Sequence, residues 1–265
     1  MQEKANEEFT KLVETVARLR GPGGCPWDRE QNHMSLRRHA IEETYEVVEA
    51  IEEGDPEHIK DELGDLLLQV LLHAQIASED SRFDIGDVCR TLREKLVRRH
   101  PHVFAQTRVS GVDDVLHNWE QIKRSEPGYS DRESVLDGVS KSLPALMRAM
   151  KLSKKAAKTG FDWPDASAIM DKLREETGEL EEALNGGDAE KIEHEIGDVL
   201  FTVVNIARVR KIEPEFALGA MLERFVTRFK HIEQKADQTG RSIDEMTLEE
   251  MDRVWDEAKQ GKAEM

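Results

Sequence analysis

The sequence IEETYEVVEAIEEGDPEHIKDELGDLLLQ, residues 41–69, occurs a second time as REETGELEEALNGGDAEKIEHEIGDVLFT, residues 174–202. The two stretches align without a gap at a displacement of 133 residues. Each contains a central cluster of Gly and Asp, with a Pro in the first copy, which is typical of a tight turn. The repeat therefore predicts two copies of a unit in which two helices are joined by a short turn.

Both copies carry acidic residues three positions apart on neighbouring helices, so their side chains share one face of each helix. The candidate metal ligands in this pattern are Glu43, Glu46, Glu62 and Asp65 in the first copy and Glu176, Glu179, Glu195 and Asp198 in the second. Spacing alone leaves Glu42 and Glu175 open as alternatives to Glu43 and Glu176. Folding of each hairpin is predicted to bring four carboxylates together.

Four carboxylates in one place need a counter-charge, because like charges raise each other's pKa. A site of oxygen ligands without Cys suits a hard cation, Mg²⁺ or, as a substitute, Mn²⁺. A single Glu-x-x-Glu pair would more simply be the solvated face of an acidic helix. Duplication of the pattern at fixed spacing, with Leu and Ile between the carboxylates, favours a metal site instead.

The repeat also predicts the domain organisation of the 265-residue chain. We expect helical domains at residues 1–124 and 143–265, joined by a linker at 125–142 that is rich in Ser, Gly, Pro and Asp. Charged residues make up 35% of the chain and aromatic residues only 5%. Long helix-period patterns without alternating strands predict an all-α fold of two tandem helical bundles.

Charge and cysteine content restrict the partners and the compartment. A formal net charge of -17 argues against binding to nucleic acid or to an anionic membrane surface. Two lone Cys residues without metal or disulfide spacing fit a reducing cytosol. The sequence contains neither a signal pattern at its start nor an apolar run of roughly 20 residues, so a soluble, cytoplasmic protein is predicted.

Basic and aromatic residues also recur after the acidic helices. The first copy has Lys95 and Arg99 one turn apart, and later a Trp four residues before Lys123. The candidate nucleotide-binding residues of the second copy are Lys172, Lys191, Arg224, Arg228, Trp255 and Lys259. Recurrence in the same order favours phosphate binding over simple surface charge.

The two copies differ one turn before their carboxylates. Lys172 and Lys191 precede Glu176 and Glu195, whereas the first copy has His at both positions. Lys is positively charged near pH 7, while His at an ordinary pKa of about 6.5 is mostly neutral. We therefore predict that the second copy is the better equipped for a triphosphate, although both Lys residues would also suit ordinary surface ion pairs one turn apart. Its expected catalytic residues are the four carboxylates Glu176, Glu179, Glu195 and Asp198.

These motifs together resemble the MazG family of nucleoside triphosphate pyrophosphohydrolases. The resemblance rests on the EExxE and ExxD pairs, a predicted CPWD loop at 25–28, RRHPHVF at 98–104 and the doubled arrangement. It implies an all-α fold, Mg²⁺ dependence, a homodimer, and hydrolysis of NTPs and dNTPs to the monophosphate and pyrophosphate in nucleotide-pool house-cleaning. It also implies that the second Glu of each doublet is the ligand.

Two alternatives belong to other classes. A di-iron carboxylate bundle also collects acids from paired helices, but it needs Glu-x-x-His ligand pairs, and Asp65 and Asp198 stand where His would be required. An acidic helical adaptor that binds a basic partner would use the carboxylates as its interaction face. The adaptor leaves the duplicated Trp and basic residues without a role.

Overall fold

The computed structural model describes residues 2–126 and 133–261. Over these ranges the chain forms twelve α-helices and one 3-10 turn, with no β-strand, so the predicted all-α fold is confirmed. The chain divides into two compact units, unit 1 at residues 1–130 and unit 2 at 131–265. Part of the predicted linker, residues 127–132, lies outside the described ranges. None of the described helices is both long and apolar enough to cross a membrane.

Unit 1 is built from seven helices. They are α1 (Gln2–Arg20), α2 (Pro26–Glu30), α3 (Arg37–Glu53), α4 (Pro56–Glu79), α5 (Ile85–Arg99), α6 (Pro101–Phe104) and α7 (Val112–Arg124). Its core packs α1 against α4 through buried Val16, Leu71, Leu72 and Ile76, together with Leu36 at the start of α3. The CPWD segment was predicted to be a loop, which is wrong: α2 begins at Pro26, a residue whose fixed φ suits the first position of a helix.

Unit 2 contains the remaining five α-helices. They are α8 (Ala145–Ala157), α9 (Ala166–Gly186), α10 (Ala189–Val209), α11 (Pro214–Gln238) and α12 (Leu248–Gln260), with the 3-10 turn Ile243–Glu245 before α12. Helix α10 packs against both α8 and α9. The buried apolar residues of this unit are Met150, Ile169, Ala183, Val204, Ile232 and Ala236.

The same turn chemistry closes both acidic hairpins, α3–α4 and α9–α10. Gly54 and Gly187 end their helices with φ of 76° and 71°, a left-handed conformation that glycine adopts without steric cost. Asp55 and Asp188 then cap the following helices, each accepting a hydrogen bond from a backbone N–H two residues later, at 3.0 and 3.1 Å. These turns hold the two acidic helices of each unit side by side.

Candidate functional site

In unit 1 the hairpin brings together carboxylates from both of its helices. Glu43 on α3 and Glu62 and Asp65 on α4 each offer an oxygen, and these atoms all lie within 4.8 Å of one another. Glu46 lies outside this group of three, although its negative charge is close enough to raise the pKa of Glu43. Gln69 is buried and donates from Nε2 to Glu43 Oε1 at 3.2 Å. Unit 1 therefore has a partly buried acidic cluster supported by an amide.

Unit 2 has the corresponding cluster, with deeper burial. Glu176 and Glu179 on α9 and Glu195 on α10 offer oxygens within 4.8 Å of one another. Glu176 and Glu195 are only 5% and 6% exposed, while Glu179 is open to solvent. Asp198 lies outside this group, and its Oδ2 is 3.2 Å from His194 Nε2. Three of the four carboxylates predicted for this copy thus converge.

Burial and mutual repulsion act on both clusters. The pKa of Glu43 is raised by burial first and then by the negative charge of Asp65. The pKa of Glu179 is likewise raised by desolvation and then by the charge of Glu195. Gln69 Oε1 is buried and finds no hydrogen-bond partner among the described residues. Both clusters would be stabilised by a cation that neutralises the carboxylates.

The doublets resolve into one inward and one outward carboxylate. Glu43 and Glu176 lie in the clusters, whereas the neighbouring Glu42 and Glu175 lie outside them. Glu42 pairs with His39 at 3.0 Å, and Glu175 pairs with Lys172 at 2.6 Å. The helix face that each side chain occupies therefore distinguishes Glu43 and Glu176 from Glu42 and Glu175, which spacing alone does not.

The two lysines before the carboxylates have different surroundings. Lys172 Nζ lies 2.6 Å from Glu175 Oε1 and 2.8 Å from Glu176 Oε1, and these contacts raise its pKa. Lys172 therefore makes the ordinary ion pairs that the sequence analysis gave as the alternative to phosphate binding. Lys191 is exposed, and its side chain makes no ion pair with the described residues. Only Lys172 therefore borders the cluster directly.

The basic and aromatic candidates of unit 2 are only partly assembled. Arg228 lies over Trp255, with its guanidinium carbon 5.4 Å from the ring centroid. Arg228 Nε is buried and lacks a hydrogen-bond partner within the described ranges. Lys259 pairs with Asp256 at 2.8 Å, and Arg224 is exposed. The structure thus brings Arg228 and Trp255 together and leaves the other two at the surface.

Unit 1 has a matching cation and aromatic cluster, with an added carboxylate. The Trp119 ring lies 5.4 Å from the Arg99 guanidinium carbon and 5.5 Å from Lys123 Nζ. Glu126 accepts hydrogen bonds from Arg98 Nη2 at 2.7 Å and from Arg99 Nε at 2.9 Å. The two guanidinium groups lower the pKa of Glu126 to about 2.

Sequence reasoning missed Gln69 and Glu126. Gln69 corresponds to Thr202 in the repeat, so comparison of the copies does not single it out. Glu126 falls in the stretch that was assigned to the linker. Its negative charge, shortly after the basic Lys123 and Arg124 of the last turn of α7, was the available signal.

Comparison with known proteins identifies the hairpins as parts of one domain type. The family model described as the MazG nucleotide pyrophosphohydrolase domain matches residues 31–104 and 165–234. Each matched segment contains one complete acidic cluster.

Several relatives are similar over nearly the whole chain. The nucleoside triphosphate pyrophosphohydrolase/pyrophosphatase MazG of Thermotoga maritima is 43% identical over 253 residues, which covers 96% of each chain. The nucleoside triphosphate pyrophosphohydrolase of Escherichia coli K12 is 41% identical over 261 residues, 97% of this chain and 99% of the relative. The uncharacterized protein YabN of Bacillus subtilis is 50% identical over 254 residues, 96% of this chain but 52% of that protein. The predicted resemblance and the enzyme class it implies are thereby confirmed, and the chain belongs to the MazG nucleotide pyrophosphohydrolase family.

Proposed function

We propose that this chain hydrolyses nucleoside triphosphates, both NTPs and dNTPs, to the nucleoside monophosphate and pyrophosphate with the help of a divalent cation. The observation that carries the proposal is the buried acidic cluster of unit 2, in which Glu176, Glu179 and Glu195 present oxygens within 4.8 Å of one another. It lies inside a segment that matches the family model, and relatives that align over nearly the whole chain are named for this activity.

The donor set of unit 2 fits a hard cation such as Mg²⁺ or Mn²⁺. Two nearly fully buried carboxylates with one lysine beside them hold more negative charge than their surroundings neutralise, and carboxylate oxygens are the ligands that these cations prefer. Glu176, Glu179 and Glu195 would hold the ion, with Asp198 as a proposed fourth ligand. When bound, the ion would neutralise phosphate oxygens and lower the pKa of a coordinated water. The cluster of Glu43, Glu62 and Asp65, with Glu46 beside it, fits a cation in unit 1 on the same grounds.

Residues around the cluster have roles that follow from their charge and exposure. Glu179 is exposed to solvent at the edge of the cluster, so it is suited to accept a proton from the attacking water. Lys172 stays protonated at neutral pH and would hold phosphate oxygens next to Glu176. The planar guanidinium of Arg228 binds phosphate through two parallel hydrogen bonds. Lys191, Arg224 and Lys259 are proposed to add positive charge at the entrance.

The aromatic ring of Trp255 supports broad use of nucleotides. Stacking on an aromatic side chain discriminates little among bases, because every base has a π-face. We therefore propose a role in clearing unwanted nucleotides from the pool. Similar kcat/KM values across a panel of NTPs and dNTPs are expected, whereas strong preference for one base would contradict this role.

The position of bond cleavage tests the reaction itself. Hydrolysis in ¹⁸O-labelled water is expected to place the label in the nucleoside monophosphate and to release unlabelled pyrophosphate. The Glu195→Gln variant serves as the control, since it removes one cluster charge with little change in shape. Orthophosphate and the nucleoside diphosphate as primary products would contradict cleavage between the α and β phosphates.

Exposed apolar side chains support the proposal of a homodimer. Leu200 on α10, and Ile212 and Leu222 near and on α11, are each about half exposed, at 51%, 50% and 52%. Burying such residues against a second copy through a two-fold interface is the commonest arrangement among soluble oligomers. Sedimentation at micromolar concentration is expected to give twice the 30.2 kDa mass of one chain, and a mass near 30.2 kDa would contradict the dimer.

A further inference from the structure

A carboxylate of the chain itself occupies the basic cluster of unit 1, which consists of Arg98, Arg99, Trp119 and Lys123. Glu126 binds Arg99 through both of its oxygens, with Oε1 2.9 Å from Nε and Oε2 2.5 Å from Nη2. Arg98 Nη2 donates a further hydrogen bond to Oε1 at 2.7 Å. The side chains of Glu126 and Arg99 are only 14% and 17% exposed. The carboxylate is therefore held as a bound ligand would be.

The corresponding place in unit 2 differs in charge. Arg228 lies over Trp255 at the same 5.4 Å as Arg99 over Trp119, but its buried Nε has no hydrogen-bond partner among the residues that the structure describes. Glu126 is the seventh residue after Trp119, and the seventh residue after Trp255 is Lys262, which lies outside the described residues. The chain thus has an acid in one copy where the other has a base.

The chemistry of the unit 1 cluster identifies the kind of ligand that Glu126 replaces. A guanidinium fork binds carboxylate and phosphate through the same pair of parallel hydrogen bonds. Arg98, Arg99 and Lys123 carry three positive charges, and Glu126 brings one negative charge to them, so the cluster suits an anion of higher charge. A diphosphate group has that charge and several acceptor oxygens.

Glu126 is also placed so that it can leave the cluster. Helix α7 ends at Arg124, and the backbone N–H of Ser125 caps it by bonding to carbonyl oxygens of the last turn. Glu126 lies after this cap, so movement of its side chain does not require any turn of α7 to unfold. Its hydrogen bonds to Arg98 and Arg99 are the contacts that a competing anion must replace.

We propose that Glu126 is an internal ligand that closes the basic cluster of unit 1 to a diphosphate group, either free pyrophosphate or the terminal phosphates of a nucleoside triphosphate. A diphosphate binds to Arg98, Arg99 and Lys123 only when Glu126 has moved away. This deepens the proposed function by giving unit 1 a ligand of the same class as the product of hydrolysis. The binding is independent of hydrolysis, so it is testable even if the chain proves inactive.

Calorimetric titration of the full chain with inorganic pyrophosphate, in the absence of divalent cations, tests the proposal. Glu126→Gln is expected to lower the dissociation constant at one site per chain by at least about tenfold, because an occluded site loses apparent affinity in proportion to the fraction that is open. Adding Arg99→Ala to Glu126→Gln should remove this gain. Glu8→Gln, which takes the same charge from an exposed ion pair on α1, should leave binding unchanged.

Parallel titrations distinguish the sources of the diphosphate. Tighter binding of pyrophosphate and ATP, but not of AMP, by Glu126→Gln supports the proposal. Tighter binding of only pyrophosphate or only ATP supports it as well. An equal gain with AMP would overturn the assignment of a diphosphate.

Thermal unfolding of every variant completes the test, with Glu126→Ala as a second substitution. Lower stability in both Glu126 variants without any gain in binding would mean that Glu126 only fastens α7 to α5, and would overturn the proposal. A gain that persists after Arg99→Ala would overturn it as well.

Discussion

The two acidic hairpins share a spacing but differ in what surrounds it. In unit 2, Glu176 and Glu195 are 5% and 6% exposed and Lys172 lies 2.8 Å from Glu176. In unit 1, Glu43 and Glu62 are only half-buried. The residue that contacts Glu62 is a histidine, His58, and not a lysine. Repetition of the spacing makes the carboxylates converge in both units, while the neighbouring residues decide how dry and how charged each cluster becomes.

The arginines that lie over Trp119 in unit 1 and over Trp255 in unit 2 also have different partners. Arg99 in unit 1 is bound by Glu126, whereas Arg228 in unit 2 keeps a buried donor without a partner among the described residues. A triphosphate approaching unit 2 would meet a lysine beside the carboxylates and a guanidinium that no carboxylate of the described residues binds. We therefore propose that unit 2 carries the hydrolysis and that unit 1 has a subsidiary binding role.

Removal of divalent cations should have the largest effect on activity. A chelator is expected to slow pyrophosphate release at least about a thousandfold, since metal stabilisation of the transition state is worth several kcal/mol and each 1.36 kcal/mol changes a rate tenfold. Glu176→Gln should raise the Mg²⁺ concentration needed for half-maximal activity, and Glu43→Gln should not. Equal shifts for the two variants would remove the distinction between the units.

One buried position is polar in unit 2 and apolar in unit 1. Asn205 is fully buried, accepts a hydrogen bond from Ser153 Oγ and donates from Nδ2 to Phe201 O at 2.9 Å, while the corresponding residue of unit 1 is Leu72. Asn205→Leu is expected to cost about 1–3 kcal/mol in urea unfolding, because it leaves buried polar groups unpaired.

The Ser153 hydroxyl provides the control for this prediction. Ser153→Ala should cost much less in the Asn205→Leu background than in the natural chain, since the two side chains share one hydrogen bond. Additive effects would mean that the pair does not stabilise the junction of α8 and α10.

Lys172 offers a smaller, copy-specific effect on substrate binding. Lys172→Met should raise KM for a triphosphate about tenfold, because a hydrogen bond to a charged group is worth about 1.5–3 kcal/mol. His39→Met, at the corresponding position of unit 1, should change KM less than about twofold, because no charged hydrogen bond to the triphosphate is proposed there. A larger increase in KM for His39→Met than for Lys172→Met would mean that the triphosphate binds in unit 1.

The smallest expected effect is the pH dependence of two arginine-bound carboxylates. Arg241 lowers the pKa of Glu250 in unit 2 to about 2, as Arg99 and Arg98 do for Glu126 in unit 1. A depressed pKa contributes stability above the ordinary value of 4.5, and this contribution is lost as pH falls towards about 2.

Melting temperatures measure that loss. The difference between the natural chain and Glu250→Gln, or Glu126→Gln, should narrow between about pH 6 and about pH 3. Glu250→Ala should cost more than Glu250→Gln at neutral pH, because alanine also removes the acceptor for the N–H of Thr247 that caps α12. Differences that do not change with pH would contradict the assigned ion pairs.

The helical hairpins were readable from sequence because their determinants are local. Glycine at the helix end and aspartate at the next cap specify the turns, and carboxylates three apart share a helix face whatever else surrounds them. The same rule does not fix rotamers. Glu46 and Asp198 keep the predicted spacing yet lie outside the groups of three, with Asp198 directed to His194.

Contacts between distant parts of the chain could not be predicted from local sequence. Glu126 reaches Arg98 and Arg99 only because α7 packs against α5, and Gln69 meets Glu43 only across the hairpin. The CPWD segment was predicted to be a loop, although its Pro26 is suited to begin a helix.

The central claim is that unit 2 carries the hydrolysis, and matched double variants test it most directly. Metal-dependent pyrophosphate release is measured for Glu176→Gln/Glu195→Gln and for Glu43→Gln/Glu62→Gln, after both are shown to be folded by circular dichroism. We predict that the unit 2 variant loses activity by about a hundredfold or more, the scale of a positioned catalytic group, while the unit 1 variant stays within about threefold of the natural chain. Equal loss in both variants, or greater loss in the unit 1 variant, would contradict the account.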